Sequence, residues 1–566
     1  MDLEVIKAKP VFNLLYEPWI TAVTQEGERK EVSICDVFKN ASQYHSLAGE
    51  LPAQNTAVLR LLLAILHSAF SSFDDADEAI DFWVDTWKKG SFPYESIISY
   101  LMRYENRFWL FHPDTPFYQT PGLDKRADVF GPFDISKMNG VLSESDNKVR
   151  LIPQRQGGEK NSLSYAEAVR WLLYFNGFAE SFGKLESKCK ANKNDPTLGV
   201  GWLGKLGLIT AAGDNFFKTL MLNYIPLNND GELWEKGKPI WEKPINYKER
   251  NYIPLPGNQA ELLTLQSRRV LLERKNDRVV SFRFVSGDFF SQEEAFSEQM
   301  TTWRYTKQQK DKTERYRPRP FQPSVQLWRD FSCIVEQNMK DGRLVPGVVR
   351  WPKYLINSDI DDNYADLFKG NQIRYQTSGI TYGTMQAVIN DVFSDSLSFN
   401  AGLLSEMHEG WLTRIIEELE ITKKLVWETA VLAQAIAKAA GIKDGNNTGK
   451  PDGYSVREET RTQAFYKLDM PFRLWLEAIN PEKDKIGNKC EEWWNISRSI
   501  IRTYGRELIY NCPPQALTGK TGQSAPEAYN WFLINTKDRD TLTREIIPIK
   551  RKNGGEKRGR AANNNT

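Results

Sequence analysis

The residues most suggestive of chemistry are Gly199-Val200-Gly201-Trp202-Leu203-Gly204, a literal GxGxxG that Lys205 extends toward a phosphate-binding loop. A phosphate loop needs a buried strand before it, and the approach here, Lys188 to Pro196, is polar and turn-like. The Ser/Thr that would hold magnesium is replaced by Leu206. Glycine serves a second purpose: without a side chain, its backbone can come close to a bulky ligand or to another chain segment. Asp359-Ile360-Asp361-Asp362-Asn363 opens like a calcium loop, but Tyr364 and Gly370 stand where the invariant Gly and the bidentate Glu belong, so it reads as an acidic surface turn. No nucleophile elbow, paired carboxylates or Ser/His/Asp arrangement rises above the background of isolated Ser, Asp and Glu.

Metal chemistry is poorly supplied. The five cysteines, Cys35, Cys189, Cys333, Cys490 and Cys512, form no CxxC pair, and His45, His67, His112 and His408 show no HExxH spacing. Neither a metal nor another cofactor is expected. Base, by contrast, is concentrated. Thr301 to Phe321 carries Arg304, Lys307, Lys310, Lys312, Arg315, Arg317 and Arg319 against Asp311 and Glu314, interleaved with Trp303, Tyr305, Tyr316 and Phe321. Laid on phosphates, such a strip would release counterions, and its aromatics could stack on bases; on composition alone a solvated loop fits as well. Because the net charge of the 566 residues is only +2, affinity for nucleic acid has to come from such local clusters.

The elements that must carry these residues divide the chain. Residues 1–398 mix short extended runs with helices, and the remainder is dominated by long helical patterns. Apolar recurrence predicts helices over Thr56–Phe70, Asp75–Lys89, Tyr94–Phe108 and Ser164–Glu180. Val32–Ile34, Val279–Val285 and Ile373–Thr377 suit strands. Leu404, Met407, Trp411, Ile415 and Leu419 form one stripe that continues through Val426, Leu432 and Ile436 to a C-cap at Gly441. Further helical segments are expected at about 456–479, 490–510 and 526–546, with Pro471 kinking or restarting the first of these three. The fold class is therefore α+β: an irregular mixed N-terminal domain over 1–398, a C-terminal four-helix bundle over 399–549, and a basic flexible tail over 550–566. A hydrophobic fraction of 40% with 26% charged residues argues for a folded chain. The leucine-rich run ending at Leu66 falls short of the about 18 residues that cross a bilayer, and the acidic start Met1-Asp2-Leu3-Glu4 is not a secretory signal, which places the protein in the cytoplasm.

Asn13-Leu14-Leu15-Tyr16-Glu17-Pro18-Trp19-Ile20, the run Leu59 to Leu66 and His112-Pro113-Asp114-Thr115-Pro116-Phe117-Tyr118-Gln119-Thr120 together resemble the opening of the CasA family, the large subunit of the type I-E CRISPR surveillance complex Cascade. Similar order continues through the glycine-rich loop, Tyr316-Arg317-Pro318-Arg319-Pro320, Leu327-Trp328-Arg329-Asp330 and Gln386-Ala387, so the resemblance spans nearly the whole chain. It implies a non-catalytic DNA-recognition subunit. Its partners would be the other Cascade subunits, the 5′ handle of the guide RNA, double-stranded target DNA with its displaced strand, and a recruited helicase-nuclease; no membrane is involved. In the family a glycine loop, a lysine finger and a glutamine wedge read a short motif from the minor groove. The resemblance carries these roles to Gly199, Val200 and Gly201 for the loop, Lys307 for the finger with Arg304 and Lys310 as alternatives, and Gln386 with Ala387 for the wedge, flanked by Thr384 and Met385. Residues 139–160, with Arg150 and Arg155, occupy the place of a loop that touches the RNA handle. The family's occasional cysteine zinc motif is missing from this sequence. Two other readings remain: a nucleotide-binding enzyme using the glycine loop, and a purely architectural subunit.

Overall fold

The computed structural model describes residues 9–126, 129–140, 159–182, 199–245, 251–307, 314–335, 345–358, 363–443, 452–519 and 524–543. Lys310, Lys312, the Arg150–Arg155 stretch, the acidic turn at 359–362 and the basic tail lie outside them. Packing divides the chain into two units: residues 1–416 with 472–489, and residues 417–471 with 490–566.

In the first unit a short strand at Val11–Asn13, paired antiparallel with Trp109–Phe111, precedes strands β1 (Ile20–Thr24) and β2 (Arg29–Val32). Ser33 then caps helix α1 (Ile34–Asn40), so the expected strand through Ile34 stops at Val32. Asp36 accepts from the Ser33 backbone while Ser33 Oγ accepts from the Asp36 N–H; this reciprocal cap favours the helix over continued extension. Strand β3 (Tyr44–Leu47) completes an antiparallel sheet in the order β2-β1-β3. Helix α2 (Pro52–Ala69) follows, with the unbroken stretch Thr56–Leu66 buried on all sides, as befits a central helix rather than an amphipathic surface one. Helices α3 (Ala76–Lys89) and α4 (Tyr94–Met102) stand where periodicity predicts them; Asp75 caps α3, and α4 ends six residues before Phe108.

Strand β4 (Phe130–Asp134) precedes helix α5 (Tyr165–Phe178), which starts on a capping box between Ser164 and Glu167. Then come β5 (Gly207–Leu208), β6 (Thr210–Ala212) and helix α6 (Phe216–Asn223). Three hairpins follow: β7 (Arg268–Lys275) with β8 (Arg278–Ser286), β9 (Thr301–Lys307) with β10 (Glu314–Pro318), and β11 (Gln372–Tyr382) with β12 (Ile389–Asn400). Each gains a third antiparallel strand, giving the orders β7-β8-β4, β10-β9-β5 and β12-β11-β6. The result is a mixed α and β architecture of small sheets around α2 and α5, without βαβ alternation among the described residues.

Helices α7 (Glu409–Ala439), α8 (Tyr454–Glu477) and α9 (Ile486–Tyr510) run through the division between the units, and α10 (Ala525–Asn535) lies in the second. Trp411, Ile415, Leu419, Val426, Leu432 and Ile436 are buried along α7 as expected, but Met407 precedes the helix and is 91% exposed, so the stripe begins at Trp411. Gly441 closes α7 with φ +76°: its N–H donates to Lys438 O and that of Ile442 to Ala437 O, a Schellman cap that needs the left-handed residue glycine supplies. Pro471 sits inside α8 without ending it. Within the second unit, Trp493 Nε1 of α9 donates to Thr422 Oγ1 of α7 at 2.9 Å, and Arg502 Nη2 donates to Leu533 O of α10 at 2.7 Å.

Candidate functional site

The glycine loop begins where α5 stops. Ala179 turns extended and accepts from the Gly201 N–H at 2.9 Å, folding the loop back on the helix end. A Cβ on Gly201 would stand 2.4 Å from Gly177 O, and Gly199 has φ +67°, so both positions demand glycine, for different reasons. Val200 between them is buried. Beyond lies a single 3-10 turn, Trp202–Lys205, and then β5. The helix whose N-terminus would bind a phosphate is missing from the described residues here, which removes the structural basis of a nucleotide site.

Two charged groups hold this loop from inside. Arg268 of β7 is fully buried; its Nη2 donates to Gly199 O at 2.7 Å and Glu180 O at 3.0 Å, and its Nη1 to Ser267 O at 3.0 Å. The carbonyl dipoles replace the hydration that the guanidinium loses on burial. Below, Arg60 of α2 grips Glu298 bidentately at 2.8 and 2.9 Å, with side chains only 3% and 1% exposed. Glu298 Oε2 also accepts from Trp202 Nε1 at 2.8 Å, tying the 3-10 turn to the ion pair.

The tip of the β11–β12 hairpin meets this loop. Tyr382 donates its hydroxyl to Phe178 O at 2.7 Å, and burial pushes its phenol well above the ordinary tyrosine range. The Ser181 N–H donates to Gln386 O at 2.8 Å, and the Gln386 N–H donates to Gly383 O at 2.9 Å. Met385 and Gln386 both adopt left-handed backbone, φ +55° and +58°, which costs side-chain-bearing residues about 1–3 kcal/mol each. Thr384, Met385, Gln386 and Ala387 are exposed, Met385 to 88%. Gln386 Oε1 lies 3.4 Å from where a Cβ of Gly199 would be, so loop and tip are neighbours despite their separation in sequence.

The basic segment forms the β9–β10 hairpin, whose near end pairs with β5 through Thr302 opposite Gly207. It thus departs from the strand that follows the glycine loop. Lys307 ends β9, opposite Glu314, and its side chain is not among those described. Arg304 is exposed, in register with Arg317. The charge excess counted along the sequence is partly cancelled in space. Arg315 and Arg317 share Glu293, whose carboxyl they hold below the usual carboxylate range, Arg317 contributing most. Arg319 pairs with Asp330 at 2.7 Å. Trp303 and Phe321 are buried, and Trp303 packs on Phe296 at 5.0 Å, so these aromatics serve the core rather than base stacking; Tyr305 is the exposed one.

The opening motifs, Asn13 to Ile20 and His112 to Thr120, serve as scaffold. Asn13 Oδ1 accepts from the Leu15 N–H at 3.0 Å, Trp19 Nε1 donates to Leu14 O at 3.0 Å, and His112 Nδ1 accepts from the N–H groups of Asp114 and Thr115. Gln119 joins two strands by donating to Leu110 O and accepting from the Leu272 N–H. Arg268, Glu298 and Tyr382, which organise the site, went unnoticed in the sequence; the one available signal for Arg268 was its place before the apolar run Val270-Leu271-Leu272. Among the described residues no group of three His, Cys, Asp or Glu side chains could hold a metal, and no helix is long and apolar enough to cross a membrane.

The chain is similar to known proteins along most of its length. Residues 13–503 match the family described as CRISPR-associated protein Cse1. A relative from Thermus thermophilus, CRISPR-associated protein CasA/Cse1, is 27% identical over 525 residues, covering 88% of this chain and 94% of that protein. The crystal structure of Thermobifida fusca Cse1 superposes with a TM-score of 0.77 at 29% identity, over 94% of this chain and 99% of that one. A chain of a CRISPR RNA-guided surveillance complex shares the fold at 16% identity, with a TM-score of 0.67 over 94% of this chain and 100% of its own length.

Proposed function

The chain belongs to the CRISPR-associated Cse1 family, and from that premise we propose that it is the non-catalytic large subunit of a type I-E Cascade complex, recognising a short protospacer-adjacent motif in duplex DNA from the minor groove. The observation that carries the reading is the nearness of Gly199 to Gln386: a glycine with no side chain lies beside an exposed amide braced on the end of α5. Of the loop Gly199, Val200 and Gly201, Gly199 is the part-exposed residue that offers backbone to the groove edge, with Val200 and Gly201 buried behind it; Lys307 offers an ammonium to its acceptors, and Gln386 with Ala387 fills the space beside the first base pair. Minor-groove acceptors barely distinguish A·T from T·A, so reading from that side tolerates several motifs. Filling the space offsets the few kcal/mol of unstacking at the first step, after which guide pairing reads the sequence.

The guide-RNA handle, the other Cascade subunits and a recruited helicase-nuclease complete the partners. Residues 399–549 are read as a four-helix bundle serving that assembly. Gln386→Ala is expected to slow opening of a duplex target while leaving binding to a pre-opened target near the parent level; Lys307→Ala is expected to weaken motif-dependent binding with assembly intact. Parental behaviour of both variants on duplex targets would favour a purely architectural subunit. Micromolar ATP binding abolished by Lys205→Ala would instead favour a nucleotide enzyme.

A further inference from the structure

Two bonds close the tip of the β11–β12 hairpin. The Gly383 N–H donates to Val388 O at 2.7 Å and the Ala387 N–H to Thr384 O at 3.2 Å, around a single 3-10 turn, Thr384–Gln386. The two left-handed residues of this turn are treated differently. Gln386 is held: its carbonyl accepts from the Ser181 N–H, and its Oε1 lies by Gly199. Met385, with φ +55°, keeps 88% of its surface open to water. An apolar side chain so exposed gains nothing from the core, and strained backbone persists where a site requires it. Methionine is one of the side chains that wedge between base steps from the minor groove, its unbranched thioether adapting to an irregular gap.

The same thioether is open to oxidants. Met138, Met221 and Met300 are buried, and the sulfur of Met102 accepts from the Tyr16 hydroxyl at 2.9 Å. Among the described methionines only Met407, 91% exposed, is as open as Met385. Met407 lies in the 3-10 turn Glu406–His408 before α7, on a segment that neither the glycine loop nor the hairpin tip includes, so it supplies an internal reference. Attack by a peroxide takes two electrons from the sulfur: the O–O bond breaks, one oxygen bonds to sulfur and the other leaves as water. The resulting sulfoxide is polar and hydrated, and it must shed that water to enter a stack of bases.

We propose that Met385 is a reversible oxidation site: as a thioether it enters the first base step, as a sulfoxide it does not, and an oxidant thereby switches strand opening off. That consequence rests on the proposed function. The test treats the assembled complex carrying the full chain with hydrogen peroxide and maps the oxidised methionines by mass spectrometry. Opening of a duplex target is followed with a fluorescent base analogue at the first base pair. Met385 and Met407 are expected to oxidise ahead of Met138, Met221 and Met300, opening to slow about tenfold, and methionine sulfoxide reductases to restore it. Met385→Leu should open duplexes equally fast before and after peroxide, whereas Met407→Leu should be slowed by peroxide as the parent is. Met385→Gln, untreated, should match the oxidised parent. The proposal is overturned if Met385 resists oxidation, if its oxidation leaves opening unchanged, or if peroxide slows Met385→Leu as it slows the parent. A Met385→Leu variant that fails to open duplexes at all overturns it too, because leucine keeps the apolar surface. If Gln386→Ala opens duplexes normally while oxidation of Met385 still slows the parent, the switch stands and the glutamine wedge falls; the converse result removes the switch alone.

Discussion

The two arginine-bearing regions of the first unit solve opposite problems. On the β9–β10 hairpin and just after it, Arg315 and Arg317 share Glu293 near the surface and Arg319 pairs with Asp330. Under the glycine loop, Arg268 and Arg60 are out of water, one held by carbonyl oxygens and the other by a single buried acid. Screening and side-chain entropy leave exposed pairs worth little, whereas a buried guanidinium has no solvent to fall back on once its partners go. The conspicuous basic cluster is therefore energetically soft, and the inconspicuous arginines are the ones that fix loop geometry.

The sharpest way to break this contrast is Arg60→Met, which strands Glu298 and is expected to cost about 3–5 kcal/mol, read as a lowered midpoint in urea unfolding. A shift as small as that of a surface variant would erase the distinction. Arg268→Met should cost about 2 kcal/mol, because buried carbonyls of Gly199 and Glu180 lose their donor. It should also reduce motif discrimination on duplex DNA, with Arg268→Lys restoring only part, since an ammonium lacks the planar fork. Replacing both Arg315 and Arg317 by Gln should change stability by less than about 1 kcal/mol, again by urea unfolding. The smallest effect concerns pH. Because the folded-state pKa of Glu293 is lowered, its pairing contributes stability fully present above the ordinary glutamate value of about 4.3 and lost as pH falls through the lowered one. An NMR titration should place its midpoint below that value, and Arg317→Gln should move it back up.

How much of this was legible in advance depended on whether the signal was local. Helices α3 and α5 announced themselves through apolar period, and the structure adds the caps at Asp75 and Ser164. Of the β11–β12 hairpin, only Ile373–Thr377 looked like a strand. Its partner, Ile389-Asn390-Asp391-Val392-Phe393-Ser394-Asp395-Ser396-Leu397, is rich in Asp and Ser, which lowers β-propensity, and tertiary pairing decides its conformation instead. Family resemblance implies the loop and wedge positions, but that Gly199 and Gln386 are neighbours required a fold. The basic strip is less charged in space than along the chain for the same reason: Glu293 and Asp330, which neutralise part of it, lie outside Thr301–Phe321.

The paired left-handed residues at the hairpin tip bear on how work would be done there. A tip already locked in an unfavourable backbone state, and fastened behind to the end of α5, has little compliance to absorb load. It would behave as a ratchet pawl, catching the spontaneous breathing of a terminal base pair rather than forcing it. A device of that kind draws on thermal motion alone, so the first step of strand separation would need no fuel from this subunit.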